Sequence, residues 1–197
     1  PMKTLFTSLF GKYLDLVLVI GIFLLIDAGV AAINFHTSRQ IEADARLINT
    51  AGLLRTYAQQ LTKGLLTLDM DMRNGTLTQS SLAEISEARL GFEDARQTLA
   101  TTLFSETGNS LIAAGDLRAE AAERLHEVIA TWTPIEREVA PLIAGQAGSA
   151  DEISAAVQKA STRNNRLTQQ ASDLSDSLER MAQHKTSAVR LIQIIAI

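Results

Sequence analysis

The chain reads as an all-α protein: an antiparallel four-helix bundle that follows one membrane-spanning helix and runs into the start of a second. Three observations carry that expectation. Apolar residues recur at alternating steps of three and four through four stretches, the mark of helices packed along a seam. Aromatics make up 5% of the 197 residues and there are 3 prolines, too few for the packed faces and turns of a sandwich or barrel. One block near the beginning is almost wholly apolar, so the 46% apolar content is unevenly spread.

That block comes first in the chain. Residues 14–33 carry no charge except Asp15 and Asp27, and about 20 such residues cross a hydrocarbon layer of roughly 30 Å as a helix. Lys3 and Lys12 precede it, which keeps residues 1–13 cytoplasmic and the chain after Ile33 outside. In a Gram-negative cell this is the inner membrane, with the following domain in the periplasm. The small residues Ala28 to Ala32 would also suit a cleaved signal peptide; a retained anchor is the reading adopted. Asp27 lies in the outer third of the span, where a charge costs least, and reads as interfacial or partner-facing. At the far end Val189, Leu191, Ile192, Ile194, Ile195 and Ile197 follow Lys185 and Arg190, so residues 189–197 read as the first part of a second membrane helix.

Residues 34–188 then form the outside domain, divided by three turn signals. These are Arg73-Asn74-Gly75-Thr76, Glu106-Thr107-Gly108-Asn109-Ser110, and Pro141 through Ser149 with its two glycines. Ser81 with Glu84 fits a capping box for the second helix, and Ser149 can cap the fourth with Asp151 and Glu152 in its first turn. The seams are Leu47, Ala51, Leu54, Ala58, Leu61, Leu65, Leu68, Met72 for the first helix and Ile85, Ala88, Phe92, Ala95, Leu99, Leu103 for the second. The third has Leu117, Ala121, Leu125, Val128, Trp132, Ile135, Val139, Leu142, with Pro134 expected to kink or restart it. The fourth runs Ile153, Val157, Ala160, Asn164, Leu167, Ala171, Leu174, Leu178, Met181, Lys185, Ala188. Short connections make neighbours antiparallel. The first and last helices are the longest, so the membrane-proximal part is expected to be these two alone, and one can move against the other.

The first helix has a second stripe about 100° round: Ile41, Ala45, Ile48, Gly52, Arg55, Gln59. A monomeric bundle needs only one apolar stripe. The second predicts a partner helix, most simply the same helix of another copy across a two-fold axis, with Ile41, Ala45, Ile48, Gly52 and Arg55 at the interface. Two Arg55 side chains facing across that axis repel unless an anion lies between them, and a planar oxyanion can accept hydrogen bonds from both guanidinium forks.

Other chemistries find little support. With 0 cysteines there is no disulfide, zinc-thiolate site or thiol nucleophile. The 3 histidines are dispersed without ligand spacing, so neither a metal nor a cofactor is expected. A net charge of −4 with no basic cluster argues against nucleic acid. No phosphate loop or nucleophile elbow is present, and nothing marks this chain as an enzyme. Asn164 reads as a register-setting residue, and Asp69, Asp71 and Arg73 as a polar helix end. Arg163 and Arg166 fall near the height of Arg55 when residues are counted from each membrane end, and read as a solvated face.

The stretch Asn49-Thr50-Ala51-Gly52-Leu53-Leu54-Arg55-Thr56-Tyr57-Ala58-Gln59-Gln60-Leu61-Thr62-Lys63 resembles the first-helix signature of PilJ-like sensor domains, from type IV pilus methyl-accepting chemotaxis transducers. It is also similar to the P-box of NarX/NarQ nitrate-sensing kinases, through Asn49, Ala51, Gly52 and Arg55. The resemblance implies a dimeric four-helix bundle between two membrane helices. It implies nitrate or a similar small anion held at the dimer interface by Arg55 of both chains, with Ile48, Asn49, Ala51, Gly52 and Gln59 around it. The partners implied are a second copy, the anion, the membrane and cytoplasmic signalling proteins. Two alternatives stand beside this: a bundle that reads a pilus-type protein or an organic ligand, and a helical scaffold without ligand.

Overall fold

The computed structural model describes residues 2–76, 79–104, 115–146 and 149–195. Among these, the regular structure is four helices: α1 (Met2–Arg73), α2 (Gln79–Phe104), α3 (Gly115–Ile143) and α4 (Ala150–Ile195). The second expected turn, residues 106–110, lies outside the described residues, as do residues 196 and 197 at the end of the second apolar run.

The chain divides into two compact units, Pro1–Glu42 and Ala43–Ile197. The first contains the apolar part of α1. Its large side chains stand outward, with Leu25 75% and Phe23 64% exposed, and by length and composition this stretch is long and apolar enough to cross a membrane. Arg39 lies over the Phe35 ring one turn earlier, 4.4 Å from its centroid.

The second unit is an antiparallel bundle whose four lateral seams each carry an ion pair. Lys63 donates to Glu84 between α1 and α2 at 2.9 Å, and Arg89 to Glu136 between α2 and α3 at 2.9 Å. Arg180 donates to Glu120 between α3 and α4 at 2.5 Å, and Lys185 to Asp44 between α4 and α1 at 2.7 Å. At each seam the partner number falls as the other rises, which defines up-down-up-down topology: Arg73 at the end of α1 reaches Ser154 at the start of α4. The first three, each with a partner at least 35% exposed, add only about 0–1 kcal/mol each, so the apolar core must hold the bundle. Every interior seam position expected on α2 is buried, as is every one on α3 except half-buried Leu117. On α1 the seam is buried from Ala51 to Leu68, with Leu47 and Met72 packed at its edges. On α4 it is buried from Ile153 to Met181, Asn164 included. At its centre the Phe92 and Trp132 rings stack, 4.0 Å apart and 23° from parallel.

The helix ends show why the turns fall where they do. After α1, Gly75 takes φ 71°, its N–H bonds Met72 O at 3.2 Å, and Thr76 N–H bonds Asp71 O at 2.8 Å. After α3, Gly145 takes φ 67°, with the matching bonds to Leu142 O and, from Gln146, to Pro141 O. Both are Schellman closures, in which a left-handed glycine lets two N–H groups turn back onto the last free carbonyls. The last carbonyls of α2 are met differently, by the Arg118 guanidinium on Thr102 O (3.0 Å) and Leu103 O (3.2 Å). Ser149 and Glu152 exchange hydrogen bonds as the capping box of α4.

Three expectations are corrected. Ser81 does not cap α2: the helix starts earlier, at Gln79, and Ser81 lies buried within it, donating to Asp71 at 2.8 Å, while Glu84 accepts from Lys63. Pro134 does not restart α3, and Pro141 lies inside it. A proline removes only one backbone bond of its own, and Trp132 and Ile135 on either side of Pro134 are locked in the core. The stop comes from Gly145. At the layer of Asp44 and Lys185 α2 and α3 are still present: the Phe104 ring lies 4.8 Å from that of His126 on α3, and Glu120 of α3 meets Arg180. Finally, Arg163 and Arg166 are not level with Arg55. The Asp44–Lys185 and Arg73–Ser154 contacts put Arg55 opposite Leu174, which leaves Arg166 and Arg163 about 12 and 16 Å further along the axis.

Candidate ligand-binding face on the first helix

Ten of the 15 residues Asn49–Lys63 fall into three sets by what they meet. Ala51, Leu54, Ala58 and Leu61 are fully enclosed in the bundle core. Tyr57 and Lys63 serve the α1–α2 seam, Lys63 through Glu84 and Tyr57 by laying its ring on Gly91. Asn49, Arg55 and Gln59 are exposed, with Gly52 half-exposed among them. On a helix of 3.6 residues per turn these four fall within about 60° of Gly52.

The geometry of the outward face is simple. A side chain built on Gly52 would meet no heavy atom within 4 Å, so the backbone there is open to approach from outside. Arg55 is exposed and makes no hydrogen bond or ion pair among the described residues. The neighbouring threonines are turned inward on their own helix: Thr50 donates to Arg46 O at 2.8 Å and Thr56 to Gly52 O at 3.2 Å. Arg55 is therefore a guanidinium with all five donors facing water, beside a bare strip of backbone. Of the residues expected around a ligand, Arg55, Gly52, Gln59 and Asn49 share this face. Ile48 is half-buried against the core and Ala51 points wholly into it.

The expected interface residues Ala45, Ile48, Gly52 and Arg55 lie in the bundle unit, and Ile41, 51% exposed, in the first unit. The stripe also continues past its expected end. Leu66 and Met70 lie on the same side of α1 as Gly52 and are 50% and 63% exposed. Their spacing was legible, since seven-residue steps from Gln59 and Lys63 lead to them.

The other candidates resolve into structure. Asp69 accepts from Arg73 at 2.9 Å and Asp71 from Ser81, so both carboxylates at the end of α1 are engaged. Lys159 and Arg163 flank Glu138 at 3.9 and 4.0 Å across the α3–α4 seam. Asn164 is buried, its amide nitrogen directed to Thr168 at 3.5 Å. No group of three His, Cys, Asp or Glu suited to a metal occurs among the described residues. The Glu93 carboxyl on α2 is held below its usual value, chiefly by the hydrogen bond from the Arg96 guanidinium. Partial burial opposes that shift, and the charges of Arg96 and Arg89 add to it.

A bundle with no catalytic constellation among its described residues, following an apolar helix and presenting an unpaired arginine on its first helix, has the form of a receptor input domain. The chain belongs to the PilJ family, Type IV pili methyl-accepting chemotaxis transducer N-term, whose family model matches residues 36–157, more than half its length and all of the Asn49–Lys63 motif. It is the N-terminal sensor region of a chemotaxis transducer, a non-catalytic domain that works with a membrane and with signalling partners. No curated protein and no solved structure matches it.

Proposed function

We propose that this domain senses nitrate or a similar small anion at a homodimer interface formed by α1 of two chains. The observation that carries the reading is Arg55: exposed, without a side-chain partner, one turn from a glycine whose outer side is open. An arginine alone in water gains nothing from that position. Doubled across a two-fold axis it becomes a planar donor set suited to a planar oxyanion, and the anion cancels the repulsion between the two cations. The similarity of Asn49, Ala51, Gly52 and Arg55 to the nitrate-sensing signature supports the same ligand. Residues 14–33 serve as the anchor, with 1–13 cytoplasmic, 34–188 periplasmic and 189–197 opening the return helix. Ligand binding draws the two α1 helices together and displaces α1 or α4 along its axis, which carries the signal inward.

The test is a thermal melt of the full chain in detergent or nanodiscs. A ligand that binds only the folded state raises the melting temperature with concentration. Nitrate is expected to raise it where equal chloride does not, and Arg55→Ala to abolish the rise. A second reading, recognition of a pilus-type protein, draws on the family's description and on exposed Leu66 and Met70. It is favoured if the dimer persists in Arg55→Ala and nitrate has no effect on either protein.

A further inference from the structure

The core of the bundle changes character at one layer. On α4 the seam steps Leu174, Leu178, Met181 and then Lys185; on α1 the same heptad count leads back from Leu54, Ala51 and Leu47 to Asp44. Both apolar seams therefore meet a charge at this layer, of opposite sign. The two charges meet: Lys185 Nζ donates to Asp44 Oδ1 at 2.7 Å, with side chains 17% and 9% exposed. Every other interhelical ion pair among the described residues has a partner at least 31% exposed on one side or both. This one is the more enclosed, with Asp44 buried and Lys185 largely covered.

Location makes the pair consequential. α1 with α2 and α3 with α4 are consecutive and joined by residues 74–78 and 144–149, short connections that limit sliding. No hairpin joins α1 to α4. Their register rests on the side chains between them, and the layers above Asp44 are aliphatic: Ala51, Leu54, Ala58 and Leu61 against Leu178, Leu174, Ala171 and Leu167. Aliphatic layers accept displaced partners at little cost, whereas a buried charge accepts only its counter-charge. At the opposite end the Arg73–Ser154 contact is exposed and 3.3 Å long, too weak to hold the register alone.

We propose that Asp44 and Lys185 form a register latch between α1 and α4, setting the axial position of the first helix against the last independently of any ligand. A slip of one helical turn, about 5.4 Å, separates the two charges and leaves both poorly solvated. The latch makes the paired arrangement one discrete state, and leaving that state requires the pair to open.

The chain has 0 cysteines, so Ala43→Cys with Gln183→Cys, both exposed positions, places two spin labels beside the latch without background. Distances are measured by pulsed EPR on the full chain in nanodiscs. With the pair intact, a single narrow distance is expected. Asp44→Asn or Lys185→Met should broaden it or add a second distance, and lower the melting temperature. The exchange Asp44→Lys with Lys185→Asp should restore one narrow distance. Asp44→Leu with Lys185→Leu should melt at or above the native temperature yet keep the broad distribution, because aliphatic packing restores burial without specifying register. Where single variants fail to fold, the two double variants decide. A narrow native distance in the Leu/Leu variant overturns the proposal, as does a broad one in the charge-exchanged variant.

Discussion

The ring of Tyr57 on α1 lies so close over Gly91 on α2 that a β-carbon at position 91 would fall 2.4 Å from its Cε1 and Cζ atoms. Seven residues further along α1, Gly64 makes the reciprocal approach: a β-carbon there would fall 2.8 Å from Cγ1 of Ile85 and 3.5 Å from its backbone nitrogen. Two glycines, one on each helix, let α1 and α2 pack at short range around the motif that carries Arg55.

Gly64→Ala should therefore destabilise the bundle by about 1–3 kcal/mol, the range for overpacking a filled core, because Ile85 is fully buried and has nowhere to go. Gly91→Ala should cost less, since the Tyr57 ring is half-buried and can swing out. Tyr57→Ala should remove the penalty of Gly91→Ala in a double-mutant cycle. Thermal or denaturant unfolding reads all of these.

Gly52→Ala separates the two kinds of glycine in α1. Nothing in the bundle opposes a methyl group there, and alanine in place of a helical glycine adds about 1 kcal/mol of helix stability. The variant should melt at or above the native temperature. If the open strip beside Arg55 is where a second α1 approaches, the same variant should weaken dimerisation and anion affinity. Equilibrium sedimentation with and without nitrate compares the two effects, and stability and assembly should move in opposite directions.

The acid limb of stability should include Glu93. Its carboxyl titrates below the ordinary value of 4.5, mainly because Arg96 hydrogen-bonds it. A lowered folded-state value adds stability that is present above the unfolded value and lost as pH falls through the folded one. Glu93→Gln should therefore lower the melting temperature slightly near pH 7, with the gap to the native protein closing as pH falls. Below about pH 4.5 it should reduce the slope of melting temperature against pH. The effect should be small, because the pair is partly exposed and solvent-screened.

Periodicity made the fold legible. The alternating three and four steps locate the core of every helix because a buried seam leaves no freedom in which residues face inward, and Trp132 and Asn164 fall on it like the aliphatic residues. Gly75 and Gly145 were legible as stops, since only a residue tolerant of positive φ closes a helix in that way. Prolines misled: Pro134 and Pro141 are local obstacles that packing on either side overrides. Ser81 misled because a capping signature is short-range, whereas the partner it found, Asp71, belongs to the preceding helix. The outward direction of Arg55 and Gly52 followed from counting. The close approaches at Gly64 and Gly91 did not, because a glycine inside a helical pattern shows nothing of its neighbour's surface. The Asp44–Lys185 pair was half legible: Lys185 stood out on its seam, and Asp44 becomes its partner only once α1 and α4 are set side by side.

The central claim, that Arg55 of two chains holds one anion, is tested most directly by calorimetric titration of nitrate into the full chain in nanodiscs, native and Arg55→Ala. The account predicts binding heat with nitrate, a stoichiometry of about one anion per two chains, and no heat in Arg55→Ala. Absence of heat with both nitrate and nitrite, or undiminished binding in Arg55→Ala, would contradict it.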